Sequence, residues 1–233
     1  MFYAIISLLA LVLNLIINRD SLKNLRGRPG ESDNDKKVTF RYNIFLIASN
    51  FYFIVDIGWG ILYEKHHIDA LFPLLYIDCL FYFFFIFLTM LTWIRYIVAY
   101  LDRHDRKSKV LLHSVWIIFI LVLIYLIINF FHPFLFSFNE DHEYIIEPGR
   151  HIAFILQIVL YLMTSSYLLF IAHKSIGGKK TRYRAVGLTC LVMGLFLLIQ
   201  IINDTYPSYA LGLIIGISVI HSYVEESERT CPP

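Results

Sequence analysis

The chain has 233 residues, of which 58% are hydrophobic, 17% aromatic and only 16% charged, with a formal net charge of +2. Soluble domains run nearer half apolar and a quarter charged, so a water-soluble globule is excluded. Disorder over most of the length is excluded too, because disordered chains lack apolar residues in this number.

A bilayer core of about 30 Å is crossed by about 20 helical residues. Seven apolar stretches reach or approach that length: residues 2–18, 40–63, 70–100, 110–131, 151–173, 184–202 and 207–224. The first and last are short, and the third is long enough to tilt or protrude. No basic residue precedes the apolar core of the first stretch, and Arg19 follows it. That reverses the charge order of a cleaved signal, so the first span is expected to stay in place. Only helices satisfy every backbone group along such spans. A barrel would alternate in segments of about ten residues, whereas residues 80–90 are apolar on every face.

Between the spans, residues 19–39 include Arg26-Gly27-Arg28-Pro29-Gly30 and read as a flexible cytoplasmic loop. Its basic residues either touch anionic head groups or, the preferred reading, only set topology. Residues 134–138, a polar Asn139-Glu140-Asp141 turn and residues 143–146 predict a β-hairpin across the outer mouth of the bundle.

Orientation follows from lysine and arginine. Sixteen of them (Arg19, Lys23, Arg26, Arg28, Lys36, Lys37 and Arg41; Arg103, Arg106, Lys107 and Lys109; Lys174, Lys179, Lys180, Arg182 and Arg184) fall in one set of alternating loops, and only Lys65 and Arg150 in the other. The expected fold is therefore an all-α membrane protein, a seven-transmembrane helix bundle with its N-terminus outside and a short β-hairpin in the outer loop 132–150. Residues 1–224 form the bundle and residues 225–233 a short cytoplasmic tail. The expected location is the plasma membrane.

Polar groups inside a span are costly, and each is a site hypothesis. Asp56 and Asp78 stand at similar depth in the outer half. Tyr52, Asp56 and Trp59 share a helical face with Tyr63, and Asp78 and Tyr82 share one with Leu75 and Phe85. Tyr125 and Asn129, Gln157 with Tyr161, Gln200 and Tyr209 add hydrogen-bonding groups in the same half. The functional reading is an outward-opening pocket for a small cationic or amphipathic ligand, lined by Tyr52, Asp56, Trp59, Asp78, Tyr82, Tyr125, Asn129, Gln157 and Gln200. The competing reading is interhelical hydrogen bonding that only holds the bundle together, and it is preferred for the amides and tyrosines. Whether the two aspartates bind a ligand or pair within the bundle is open.

Arg95 is read as snorkelling to the inner interface. The nine histidines form no ligand pair within a helix, and Cys79, Cys190 and Cys231 have no metal-ligand spacing, so no metal or other cofactor is expected. Gly212 and Gly216 suggest close helix packing. The seventh span has no lysine to anchor a retinal, and no phosphate loop or nucleophile–base arrangement is present. No catalytic activity is expected. Prolines stand at span ends and no internal repeat is visible, unlike a transporter with broken helices.

Residues 56–64, Trp93-Ile94-Arg95-Tyr96 with residues 99–101, residues 127–131 and 133–138, Tyr206-Pro207 with residues 209–212, and residues 221–226 together resemble a known family. It is the N-terminal seven-transmembrane sensory region of Firmicutes signalling proteins, usually ahead of a GGDEF diguanylate cyclase domain and sometimes a histidine kinase. The resemblance covers about residues 3–229. It implies a sensor in which a stimulus changes helix packing and the seventh helix passes the change to a cytoplasmic output domain. It assigns no ligand and no binding residue. The family pattern continues from the acidic residues 225–229 into a signalling helix and a catalytic domain, while here Thr230-Cys231-Pro232-Pro233 follows and no GGDEF sequence is present. Cyclase activity is thus expected from a separate partner or from sequence beyond these residues.

The expected function is a sensory or receptor-like membrane module. Its partners would be the bilayer, an unidentified small ligand and a cytoplasmic signalling protein or a second copy of the chain, with no nucleic acid. The alternatives are a small transporter or channel using Asp56 and Asp78 as proton or cation sites, and a structural membrane subunit.

Overall fold

The computed structural model describes residues 2–24, 32–101, 106–203 and 206–225. Of the positions singled out above, Arg26, Gly27, Arg28, Pro29, Gly30, Arg103, Cys231 and the tail beyond residue 225 lie outside the described residues. The elements in chain order are α1 (Phe2–Ile17), α2 (Arg19–Lys23), α3 (Asp33–Tyr63), α4 (Phe72–Leu101) entered by a 3₁₀ turn at Asp69–Leu71, α5 (Arg106–Asn129), β1 (Phe136–Phe138), β2 (Tyr144–Ile146), α6 (Pro148–Lys174), α7 (Gly178–Ile202) and α8 (Ser208–Ile220), which runs on into a wider π turn at His221–Glu225.

Among the described residues, five helices (α3 to α7) are long and apolar enough to cross a membrane, and α1 and α8 are shorter apolar helices. Their burial pattern is that of a membrane protein turned inside out relative to a soluble one. On α1, Leu8, Leu9, Ile5 and Ile16 are exposed, Ile16 by 66%, while Ser7, Asn14 and Asn18 are completely buried. In water that arrangement would be costly twice over, through exposed apolar surface and buried polar groups. In lipid the first cost disappears, and the second is met by hydrogen bonds between helices.

The helices form a closed ring in chain order. α1 packs on α3, α3 on α4, α4 on α5, α5 on α6, α6 on α7, α7 on α8, and α8 returns to α1. α4 also touches α6 across the middle. Its aromatic residues fill the centre: Trp93 lies 5.0 Å from Phe45 of α3 and Tyr96 5.2 Å from Tyr42. The Trp93 indole N–H donates to the Cys190 sulfur of α7 at 3.4 Å. Arg95, read as snorkelling, places its guanidinium 5.8 Å from the Trp116 ring centre on α5, and its backbone carbonyl accepts from Arg41 at 3.0 Å.

The 19–39 segment departs from the flexible loop expected of it. α2 occupies Arg19–Lys23, and α3 begins at Asp33, seven residues ahead of the predicted span. The cause is local chemistry. The Ser32 hydroxyl accepts from the Asp35 N–H at 3.2 Å, and Asp33 and Asp35 stand in the first turn. A hydroxyl cap and early carboxylates both stabilise a helix start.

The predicted hairpin is present. β1 and β2 pair antiparallel with Phe136 opposite Ile146 and Phe138 opposite Tyr144. The Asn139 side chain accepts from the N–H groups of Asp141 and Glu143, closing the turn, and His142 takes a positive φ of 61°. The hairpin lies over one end of the ring. Phe136 stacks on Phe83 of α4 at 5.8 Å, Tyr144 meets Trp59 of α3 at 6.1 Å, and His142 stacks on Phe72 at 4.2 Å.

Asn129, the last residue of α5, organises the approach to the hairpin. Its side-chain oxygen accepts from the N–H groups of Phe134 (2.9 Å), Leu135 (2.8 Å) and Phe136 (3.3 Å), and its amide donates to the Phe136 carbonyl at 3.1 Å. Asn129→Ala leaves these buried groups without partners, at a cost of about 1–3 kcal/mol. The expected result is faster proteolysis between residues 132 and 147 with unchanged helical content by circular dichroism.

Candidate functional site

α1 and the residue that follows it carry a polar stripe at helical spacing: Tyr3, Ser7, Asn14, Asn18. Each member finds a partner on the antiparallel neighbour α3. Tyr3 donates to Asp56 Oδ1 at 2.8 Å, and the Ser7 hydroxyl donates to Asp56 Oδ2. Asn14 donates to Asn50 at 2.8 Å. Asn18 donates to Asn14 and accepts from the Tyr42 hydroxyl at 2.8 Å. The backbones approach closely enough that a Cβ on Gly60 would stand 3.1 Å from the Ala4 nitrogen. Asp56 is thus a completely buried carboxylate with both oxygens engaged from α1.

Asp78 on α4 is held differently. Its carboxylate lies against the α3 backbone, with Oδ1 2.7 Å from where a Cβ on Gly58 would sit. Its Oδ2 is buried and receives no hydrogen bond. Asp78 is within electrostatic reach of Asp56, yet no hydrogen bond joins the two.

Under the hairpin, a cavity of about 20 Å³ is lined by Tyr3, Trp59, Cys79, Tyr82, Phe83, Tyr144, Arg150 and Gln200. That is the space of about one ordered water molecule. Arg150 is only 4% exposed. Its guanidinium donates to the Gln200 carbonyl at 3.4 Å and lies 5.9 Å from the Tyr144 ring centre and 5.5 Å from that of Phe154. Pro148 at the first turn of α6 presets the helical φ, so Arg150 is delivered from a rigid helix start directly beneath β2.

One layer further in, Tyr161 of α6 and Tyr209 of α8 share a hydrogen bond of 2.7 Å, and the Gln157 amide donates to both at 3.5 and 3.4 Å. The Gln157 oxygen is buried without a partner. The Tyr52 ring lies 5.9 Å from Tyr82 and 5.3 Å from Tyr209, linking this layer to the cavity wall. Gln200 has a second task. Its side-chain oxygen accepts from the Tyr209 N–H at 3.2 Å. α8 starts after Pro207 with no cap from its own preceding side chain, so a residue of α7 supplies the acceptor that the first turn lacks.

Of the nine predicted pocket residues, Trp59, Tyr82 and Gln200 line the cavity. Tyr52, Asp56 and Asp78 stand around it, and Gln157 lies in the adjoining layer. Tyr125 and Asn129 belong elsewhere: Tyr125 packs on Phe134 at 4.6 Å, and Asn129 is committed to the hairpin approach. α5 therefore contributes nothing to the cavity wall, and α1 takes its place. Tyr3, Cys79, Phe83, Tyr144 and Arg150 are the lining residues that residue-by-residue reading missed, and Ser7 is the missed partner of Asp56. The spacing 3, 7, 14, 18 was available as a signal, since polar residues recurring on one face of an otherwise apolar helix mark the face turned to protein. Arg150 was counted only for topology, although it is one of just two basic residues in the sparsely charged loops.

Comparison with protein-family models, with curated proteins and with solved structures finds no match to this chain.

The α1–α3 contact gives a direct test. Ser7→Ala removes one donor from a buried carboxylate and should destabilise the detergent-solubilised protein by about 1–3 kcal/mol in thermal unfolding. In an Asp56→Leu background the same substitution should cost close to nothing further, because the two positions then share no interaction.

Proposed function

We propose that this chain is a membrane-embedded sensory module: its hairpin end receives a stimulus, and α8 carries the response to the opposite end. The observation that carries the proposal is the engagement of α8 by the same side chains that surround the cavity. Gln200 lines the cavity and also caps α8, and Tyr209 of the first turn of α8 is joined to Tyr161 and Gln157. A group entering the cavity competes for these hydrogen bonds and thereby favours one position of α8 over another, which is a population shift between two packings.

The cavity as it stands holds about one water, so a ligand enters only when β2 moves aside with Tyr144, which lines the cavity. Asp78, with a buried oxygen that accepts no hydrogen bond, is the group placed to take a cation or a donor. Arg150 is the counter-charge for an anionic portion of the ligand. The resemblance to Firmicutes seven-transmembrane sensory regions supports the same reading and suggests a cyclase or kinase as the output, in a partner or in a further domain.

Titration of the reconstituted protein with a panel of amines, amino acids and short peptides, read by thermal shift, is expected to show saturable stabilisation by at least one class. Asp78→Asn should weaken that response about tenfold or more, the loss of a hydrogen bond to a charged group. An unchanged response in both Asp56→Asn and Asp78→Asn would remove the aspartates from the site. Proton or cation flux into protein-loaded liposomes would replace the sensory reading with transport.

The proposed orientation, with the hairpin outside, rests on the distribution of lysine and arginine. Alkaline phosphatase fused after His66 or Phe138 should be active, and fusions after Lys107 or Lys179 inactive. The reverse pattern would put the hairpin in the cytoplasm.

A further inference from the structure

At the end of the bundle away from the hairpin, a hollow of about 310 Å³ opens between α7 and α8. Its origin is in the sequence. Gly216 has no side chain, and a Cβ there would stand 2.8 Å from Thr189 Cγ2 and 2.7 Å from Met193 Cε. The two helices therefore touch along a floor of small groups, while larger apolar side chains rise on either side. Leu188 and Ile215 form the walls and are 45% and 42% exposed on the surface of the bundle. The hollow is thus an apolar slot open sideways, on the surface that meets acyl chains when the protein is in a membrane.

The end of the slot is chemically different. Arg184 and Thr181 line it on α7 and Tyr223 lines it on the π turn, and all three are exposed. Lys179 and Lys180 stand in the first turn of α7 and are exposed as well. Ile176, two residues ahead of α7, is 92% exposed between Lys174 and these lysines. A bare apolar side chain among lysines is placed to dip into the head-group layer, with the ammonium groups around it in the anionic interface. An apolar slot that ends in a guanidinium, two hydroxyls and neighbouring ammonium groups suits an acyl chain joined to an anionic phosphodiester.

We infer that the α7–α8 slot is a binding site for an anionic phospholipid. One acyl chain lies between Leu188 and Ile215, and the phosphate rests on Arg184, with the Thr181 and Tyr223 hydroxyls as further donors. Because one wall of the slot is α8 and its end is the π turn that follows it, an occupied slot also holds the final turns of α8 against α7.

The test is native mass spectrometry of the full chain, stripped of lipid in detergent and titrated with dioleoylphosphatidylglycerol or dioleoylphosphatidylcholine. One phosphatidylglycerol molecule should be retained in preference to phosphatidylcholine. Arg184→Ala, at an exposed position, should weaken that binding about fivefold, the value of one basic group at an anionic lipid, while Arg184→Lys keeps most of it. Leu188→Trp, also at a surface position, should fill the slot and weaken both lipids together. Thermal unfolding of each variant checks that it is folded. Equal binding of the two lipids, with Arg184→Ala unchanged, would overturn the proposal. So would displacement of the lipid by inorganic phosphate alone, which would make the site an ion site. A lipid-free dimer abolished by Leu188→Trp would assign the slot to a second copy of the chain and would likewise overturn it.

Discussion

The polar face of α1 against α3 is the constraint on which the rest of the structure turns. In the interior of a bilayer no water waits to satisfy Ser7, Asn14 or Asn18, and lipid tails are as apolar as the opposite face of the same helix. The rotation of α1 is therefore set by hydrogen bonds and not by hydrophobic burial, because only one orientation gives all of them partners. Asp56 is the far end of that constraint. A carboxylate completely out of solvent persists there because two hydroxyl donors arrive together from one helix face. With α1 so fixed, its remaining surface meets α8, and the ring closes.

The closed ring explains why the cavity lies where it does. Seven helices around a centre filled by Trp93, Tyr96 and Phe45 leave a small cavity at the end where aromatic residues give way to Gln157, Gln200 and Arg150. The hairpin then covers that end with Phe136 and Tyr144. Charge is concentrated there as well: a shielded carboxylate at Asp56, a less engaged one at Asp78, and a buried guanidinium at Arg150. The walls are mostly rigid, since they come from helices, and one side is a short two-stranded element anchored through Asn129. A two-stranded cover over charged groups set on helices distinguishes this end of the ring from the rest of the bundle.

Much of this was legible in the residues. Composition and the seven apolar stretches led to an all-helical membrane bundle, and five helices of spanning length with two shorter apolar ones stand close to the expected positions. The Asn139-Glu140-Asp141 turn located the hairpin because asparagine at that position binds its own backbone. Asp56, Trp59, Tyr82 and Gln200 were found because a polar group in a span is conspicuous. What one helix at a time could not supply was the pairing between helices. Asn129 looked like a pocket residue because its depth is right, but depth does not tell whether an amide faces the centre or caps a loop. Tyr3 and Ser7 escaped notice because each is unremarkable alone and gains meaning only from Asp56 some fifty residues away. The start of α3 at Asp33 was hidden because a hydropathy window sees the span and not the capped polar turns ahead of it.

The contact between α1 and α8 has a consequence in time. During synthesis α1 enters the membrane first and α8 last, so the seam between them closes only after every intervening helix is in place. Until then α1 has α3 for company, and its α8-facing side borders lipid. A ring whose first segment waits for its last closes in one final step: a chain interrupted before α8 leaves the α8-facing side of α1 without its partner.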